Sequence, residues 1–315
     1  MKQLAVIAIG GNSLIKHRDK QTVADQYRAI CETTSHLVDL VELGYQLVIT
    51  HGNGPQVGFI MLRSEIARKE VGLHIVPLSS CVADTQGAIG LQIQQALGDD
   101  LAGQGLEAGA VTIVTQVEVD PDDPGFARPD KPIGEFYTKE QLPILKKQHP
   151  DWILMEDASR GYRRVVASPR PVKIIEQEAV NTLLAGGFHV VTAGGGGIPV
   201  VRGEKGLVSV DAVIDKDKTA SLLAKNLGAS LLVISTAVEQ VMLNFGTPDE
   251  QPLGQVKVGK IEKYLADGHF APGSMAPKIE AAIAFIRGGG LKVIITNPEN
   301  IGEALRHDRG TQITP

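Results

Sequence analysis

Two kinds of residue in this chain could do chemistry: glycine-rich turns that follow apolar runs, and lysines in unfavourable helical positions. The turns cover residues 10–12 (Gly-Gly-Asn), 52–54 (Gly-Asn-Gly) and 194–197 (four glycines). Glycine lets the backbone approach a ligand closely, and successive N–H groups form an anion-binding nest. We predict that the three turns share one anion site at the carboxyl edge of a sheet, although each taken alone could be a plain tight turn.

The lysines strengthen this interpretation. Lys278 follows Pro277 in the first turn of a predicted helix, where a cation opposes the helix dipole by roughly 0.3–1 kcal/mol. Lys216 lies just ahead of another predicted helix, where the helix dipole disfavours a cation for the same reason. Asp217 has two interpretations: it caps that helix, or it accepts hydrogen bonds from the two lysine ammonium groups and holds them in place. Lys131 reads, on sequence alone, as a solvated surface lysine more often than as a catalytic one.

The elements that would position these residues alternate along the chain. Apolar runs typical of buried strands cover residues 4–9, 47–50, 110–115, 188–192, 230–235 and 291–296. Helical spacing covers residues 23–43, 84–101, 172–184, 218–227 and 277–287, and residues 200–210 indicate a hairpin. This alternation predicts an α/β layered fold with a largely parallel sheet.

The alternation is interrupted between residues 120 and 170, where proline, aspartate, arginine and aromatic residues become frequent. A structureless loop of that length inside a compact domain would be unusual, so we predict a small inserted subdomain that could act as a lid. The alternative is an ordered excursion that serves packing only.

Several chemistries are excluded by missing motifs. There is no GxxxxGK[ST] loop, no GxGxxG followed by an acidic residue, no GxSxG elbow and no HExxH helix. Phosphoryl transfer suits the parts that remain, because it needs mainly positioned N–H groups, lysines and Mg²⁺. An anionic acceptor oxygen has no proton to lose, so we expect His51 to be structural.

Composition sets the broad class. Of 315 residues, 43% are hydrophobic and 21% are charged, as in ordinary globular proteins. The net charge of −5 without a basic stripe makes nucleic acid an improbable partner. Two cysteines without metal-type spacing fit a reducing compartment, and no apolar run is long enough to cross a bilayer, so we expect a cytoplasmic location.

At these residues the chain resembles the carbamate kinases and carbamate kinase-like proteins of the amino acid kinase family. The matching stretches lie in order along almost the whole chain: residues 8–13, 50–58, 115–120, 131–134, 160–166, 194–199, 213–217, 236–239 and 273–278. The resemblance implies one amino acid kinase domain over residues 1–315, a three-layer sandwich with a mostly parallel central sheet, from which the 120–170 insert protrudes.

The resemblance also implies ligands and partners. Carbamate or carbamoyl phosphate would lie on the N-terminal half, and ATP or ADP with Mg²⁺ on residues 211–315, with no protein side chains assigned as metal ligands. The assembly would be a homodimer. In the cell, the reaction would run toward ATP synthesis from carbamoyl phosphate in catabolism.

Roles are carried over by position. Lys131, Lys216 and Lys278 would contact the transferred phosphoryl group, and Asp217 would organise the lysines. The small substrate and its phosphate would be held by Gly10, Gly11, Asn12, Gly52, Asn53, Gly194, Gly195, Gly196 and Gly197. The nucleotide would be bordered by Thr236, Ala237, Val238 and Met275, together with Lys216 and Lys278.

Three positions depart from familiar patterns, and two other functions stay open. Many amino acid kinases carry a lysine where this chain has Ala8, and Lys131 from the insert could replace that charge. Ser159 and Ala276 stand where glycine is familiar in carbamate kinases. The alternatives are a family member that phosphorylates another small carboxylate, and a non-catalytic nucleotide or metabolite sensor.

Overall fold

The structure, a computed structural model, describes residues 3–15, 21–106, 108–157 and 161–315, apart from the side chains of Asn12, Ser13 and Glu135. Its strands, in chain order, are β1 (Gln3–Ile9), β2 (Tyr45–His51), β3 (Ala110–Thr112), β4 (Gln116–Val119), β5 (Lys131–Tyr137), β6 (Ile153–Glu156), β7 (Tyr162–Val166), β8 (Pro171–Ile174), β9 (His189–Val191), β10 (Ile198–Gly203), β11 (Gly206–Ser209), β12 (Leu231–Ser235), β13 (Val241–Leu243), β14 (Gln251–Leu253), β15 (Gln255–Lys257), β16 (Lys292–Thr296) and β17 (Thr311–Thr314).

The α-helices of the described residues are α1 (Gly11–Leu14), α2 (Val23–Glu42), α3 (Gly54–Val71), α4 (Leu78–Gly103), α5 (Pro124–Ala127), α6 (Leu142–Gln148), α7 (Gln177–Ala185), α8 (Lys216–Asn226), α9 (Val258–Ala266), α10 (Met275–Arg287) and α11 (Ile301–Arg306). Short 3₁₀ turns cover Lys139–Gln141, Gly194–Gly196 and Pro298–Asn300. No helix of the described residues combines the length and apolarity that crossing a membrane requires.

The central sheet has the strand order β15-β17-β16-β12-β1-β2-β9-β3. All its neighbouring strands run parallel except β16 and β17. The predicted α/β fold with a mostly parallel sheet is therefore confirmed. Because the strands are parallel, β1, β2, β9 and β12 all end at the same edge of the sheet.

Both faces of this sheet are buried, as the alternation of side chains along β1 shows. Val6 and Ala8 belong to the core on one face, which α8, α9 and α10 cover. Ala5, Ile7 and Ile9 belong to the core on the other face, under α2, α4 and α11. Side chains of a strand alternate between faces, so an uninterrupted apolar run is what a central strand between two helical layers requires.

One predicted helix was wrong in part. The sequence spacing over residues 172–184 predicts a helix, but the structure forms β8 first and begins α7 at Gln177. β8 pairs antiparallel with β4 in a second, four-stranded sheet of order β11-β10-β4-β8. The carboxylate of Glu176 then accepts hydrogen bonds from the backbone N–H (2.7 Å) and the side-chain amide (2.9 Å) of Gln116, which fixes the transition from strand to helix. The hairpin predicted over residues 200–210 is formed by β10 and β11.

The segment between residues 120 and 170 contains a separate three-stranded antiparallel sheet of order β5-β7-β6. We call this segment the insert. Its base is joined to the segment before α8: Ala167 bridges Ala212, and the backbone N–H of Val213 donates to the carbonyl of Ala167 at 2.9 Å. A lid motion of the insert stays a prediction.

Substituting Gly196 by alanine should destabilise the fold strongly. Its φ is +91°, and a Cβ there would lie 2.2 Å from the carbonyl oxygen of Ile214. Left-handed strain of about 1–2 kcal/mol and a backbone clash of about 1–3 kcal/mol should add, and urea unfolding midpoints would measure the loss. Gly228→Ala is the matched control, since Gly228 has a φ of +64° but nothing within 4 Å. Equal losses at the two positions would contradict the clash.

Candidate active site

A cavity of about 390 Å³ lies where β1, β2 and β12 end. Its walls include the glycine turns after β1 and β2, Gly195 of the four-glycine run, the base of the insert, the N-terminus of α8, the turn after β12 and the start of α10. The N-termini of α3, α8 and α10 all lie at this edge, and helix N-termini favour anions.

The first two glycine turns are pressed together. The backbone N–H of Gly52 donates to the carbonyl of Ile9 at 2.9 Å, and a Cβ on Gly52 would lie 2.5 Å from the backbone nitrogen of Gly11. Gly10, Gly11 and Gly52 all line the cavity. Glycine is required here because two chain turns meet backbone to backbone.

Asn53 lines the cavity and forms the N-terminal boundary of α3, and its side-chain amide donates to the hydroxyl of Thr85 at 2.9 Å. The side chain of Asn12, also predicted to bind substrate, lies outside the described residues.

The four-glycine run has mainly a packing role. A Cβ on Gly194 would lie 2.3 Å from the ring of His51, and one on Gly197 would lie 2.2 Å from a methyl of Val117. Gly196 packs against Ile214, and Gly195 lines the cavity, where a Cβ on it would lie 2.2 Å from the side-chain amide of Asn53. The run therefore lets β9, β2 and the approach to α8 come close enough to form the cavity.

Two partly buried ammonium groups share one buried carboxylate. Nζ of Lys216 donates to Oδ1 of Asp217 at 2.5 Å, and Nζ of Lys278 donates to Oδ2 at 2.7 Å. The Asp217 side chain is only 3% exposed. Burial alone would raise the pKa of Asp217, but the two ammonium groups outweigh it and lower the pKa to about 2. Burial lowers the pKa of Lys216, and Asp217 opposes that shift.

Asp217 is not the helix cap. α8 begins two residues earlier than the sequence spacing predicts, and its cap is Asp215, whose Oδ1 accepts from the backbone N–H groups of Asp217 (2.9 Å) and Lys218 (3.4 Å). The side chain of Asp217 is thus left to accept from the two lysines, which is the other interpretation that the sequence allowed.

Lys131 reaches the same cavity from the insert. It is the first residue of β5, paired with Val166 at the base of the insert, and its Nζ donates to Oδ2 of Asp215 at 3.0 Å. Its side chain remains 34% exposed. The structure therefore brings Lys131, Lys216 and Lys278 to one cavity although they come from three distant segments.

The predicted nucleotide side is formed by the turn after β12 and the start of α10. Thr236 and Ala237 line the cavity, and the N–H of Thr236 donates to the carbonyl of Thr296 at 2.8 Å. Val238 is the next residue in the chain. Met275 opens α10 and packs with Ala276 against the core under the sheet.

Two charged residues of the cavity, Asp215 and Arg163, were given no role by sequence reasoning. Arg163 on β7 donates to the carbonyl of Gly134 at 3.0 Å and to Asp157 at 3.1 Å, so it ties the insert strands together beside the cavity. The only signals were an acidic residue before Lys216 and a basic pair in the 160–166 stretch. Ser159, a departure from the family pattern, lies outside the described residues.

The comparisons with known proteins agree with this geometry. The model of the amino acid kinase family matches residues 3–297. The chain belongs to the amino acid kinase family. It is 52% identical to the carbamate kinase-like protein YahI of Escherichia coli, over 99% of both chains. It is 44% identical to a carbamate kinase of Lentilactobacillus hilgardii, over 100% of this chain and 98% of that one.

A solved structure of this family is similar throughout. The carbamate kinase from Giardia lamblia bound to AMP-PNP superposes with a TM-score of 0.92 at 41% identity, covering 99% of this chain and 98% of that one. The resemblance drawn from the sequence motifs is thereby confirmed at the level of family and fold.

The kinases of this family need a nucleotide. The cavity residues are compatible with a divalent metal ion that binds through the phosphates of that nucleotide. The described residues contain no group of three or more His, Cys, Asp or Glu side chains that could hold a metal by themselves. Mg²⁺ commonly binds through substrate phosphates, waters and one or two carboxylates, so such a cage is not needed. Asp215 and Asp217 are the carboxylates that line the cavity among the described residues.

His51 should make stability depend on pH in a defined window. Burial lowers the pKa of this ring from 6.5 to about 4, while its Nδ1 donates to the carbonyl of Gly52 at 3.0 Å. Between pH 6.5 and 4 the ring is therefore protonated in the unfolded chain but not in the folded chain. The free energy of unfolding should fall by up to about 3 kcal/mol as pH drops from 6.5 to 4. Urea unfolding at several pH values measures this. His51→Gln should flatten this part of the plot of stability against pH. His74→Gln, at an exposed histidine, is the control and should leave the plot unchanged. An unchanged plot for His51→Gln would show that His51 does not cause the pH dependence.

Proposed function

We propose that this chain is a carbamate kinase, which reversibly transfers a phosphoryl group between ATP and carbamate to give ADP and carbamoyl phosphate. The observation that carries the proposal is the convergence of three lysine ammonium groups on one cavity, beside glycine turns and helix N-termini. Such a constellation neutralises the charge of a phosphoryl group in transit, which is the main catalytic demand of this reaction.

In the proposed reaction an oxygen of carbamate attacks the γ-phosphorus of ATP while the bond from that phosphorus to the bridging oxygen of ADP breaks. The attacking oxygen is already anionic, so no general base is needed. The buried His51, neutral at pH 7, has no part in proton transfer. Mg²⁺ bound with the nucleotide would neutralise part of the phosphate charge.

Each lysine has a place in this scheme. Asp217 holds Lys216 and Lys278 in fixed positions at the nucleotide side, where their remaining N–H groups can donate to phosphoryl oxygens. Lys131 donates from the insert side. The turns containing Gly11 and Gly52 offer backbone N–H groups for carbamate or its phosphate on the opposite wall.

Replacing Lys131 by methionine should lower kcat about 100-fold, because one donor to the transferred group is lost while the fold is spared. Lys131 is the most exposed of the three lysines, so little stability depends on it. A coupled assay would follow ATP formed from ADP, Mg²⁺ and carbamoyl phosphate.

Lys218→Met is the matched control, because Lys218 lies on α8 but pairs with Glu280 at the surface, at 3.0 Å. It should leave kcat unchanged. Wild-type protein that binds nucleotide but forms no ATP would make the chain a sensor, and turnover only with another acyl phosphate would assign a different acceptor.

We further propose that two copies of the chain associate through the β3 edge of the central sheet. β3 is the last strand of that sheet, and exposed apolar side chains flank it: Leu91 on α4 is 53% exposed, Val114 is 49% exposed and Phe188 is 39% exposed. An open edge strand beside apolar surface is covered in most proteins.

Leu91→Glu should weaken this association, because it places a charge on the apolar surface that a second copy would cover. Sedimentation velocity should show a dimer for the wild type and more monomer for Leu91→Glu. Leu291→Glu, at an exposed leucine (63%) between α10 and β16, is the control and should remain dimeric. A monomeric wild type would refute the interface.

A further inference from the structure

Asp215 is a cavity residue to which the proposed reaction gives no role. Its two carboxylate oxygens have separate partners: Oδ1 caps α8, and Oδ2 accepts from Nζ of Lys131 at 3.0 Å. The side chain is only 15% exposed. Burial and the nearby Asp217 would raise its pKa, but Lys131 and Lys216 together hold the pKa below its ordinary value, so the group is ionised at neutral pH.

This carboxylate lies where the insert meets the N-terminus of α8. Besides the backbone contacts of Ala167, the insert is tied to the same segment by the ion pair of Arg164 with Asp211. Four residues after Asp211, Asp215 completes the connection by binding Lys131. The next two residues, Lys216 and Asp217, begin α8, and Asp217 binds the ammonium groups of Lys216 and Lys278.

The distribution of charge explains why such a partner is needed. Asp217 binds Lys216 through one oxygen and Lys278 through the other, whereas Lys131 binds a different carboxylate, that of Asp215. A lysine has four flexible side-chain bonds, and without an acceptor near its ammonium the group would spread over many positions. In the structure that acceptor is Oδ2 of Asp215.

We propose that Asp215 is a positioning residue that fixes the Lys131 ammonium over the cavity and couples the insert to the helix carrying Lys216 and Asp217. This rests on the proposed function. The phosphoryl group then meets a donor that is already in place, and the orientation of that donor no longer has to be set during the reaction.

Asp215→Asn separates positioning from capping, because asparagine caps helices about as well as aspartate. An asparagine that caps α8 through its oxygen would turn its NH₂ group toward Lys131 and could not accept. We expect kcat to fall 10–100-fold in the ATP-forming assay, with a smaller change in the KM for ADP and an almost unchanged unfolding midpoint. In Lys131→Met protein, the same substitution should lower kcat less than twofold, because the residue it positions is gone.

Asp211→Asn is the matched control, since it breaks the other ion pair between the insert and this segment, the one with Arg164, away from the cavity. It should leave kcat within about twofold of the wild type. Asp215→Asn with wild-type kcat, or with the same fractional loss in Lys131→Met protein, would overturn the proposal.

A readout without turnover keeps this inference separate from the proposed function. Reductive methylation of the folded protein, followed by peptide mass spectrometry, measures how accessible the Lys131 amine is. Asp215→Asn should raise the labelling rate at Lys131 severalfold and Asp211→Asn should not. An unchanged rate in Asp215→Asn would overturn the positioning role, whereas an inactive wild type with the expected labelling would overturn only the carbamate kinase assignment.

Discussion

The buried carboxylate of Asp217, shared by the ammonium groups of Lys216 and Lys278, is the interaction on which the site depends. Isolated buried charges are too costly to persist, and a buried group either finds a partner or becomes neutral. Here the buried carboxylate is compensated by two partly buried ammonium groups, with hydrogen bonds of 2.5 and 2.7 Å. Two cations can therefore stand in the first turns of α8 and α10, where the helix dipole opposes them, with donors left over for an anion.

The rest of the fold serves to bring those charges to one place. The parallel sheet ends β1, β2 and β12 at a common edge, and the N-termini of α3, α8 and α10 lie at that edge. Glycines at 194–197 remove the Cβ atoms that would otherwise collide with His51, Asn53 and Ile214. The insert adds the third lysine at its base, where the backbone contacts of Ala167 hold it against the main body.

Tertiary contacts overrode local pattern at two places. Residues after Pro171 have apolar spacing that suits a helix, yet they form a strand, because pairing with β4 satisfies backbone groups of both strands and buries Ile174 in the core. At α8 an Asp-Lys-Asp sequence offers two possible caps. Asp215 takes that role because Asp217 is turned inward toward Lys278, which lies 61 positions later in the chain.

The sequence by itself determined the fold class and the family, because these depend on local periodicity and on motifs in linear order. The resemblance carried by those motifs also named the three lysines that the structure brings to one cavity. It could not decide which carboxylate binds which lysine, since Lys131, Asp215 and Lys278 are joined only by the folded chain. Nor could it separate glycines that line the cavity from those that allow close packing, because both kinds look alike until their neighbours are known. Burial and distance, which decide the charge state and the role of each group, exist only in the tertiary structure.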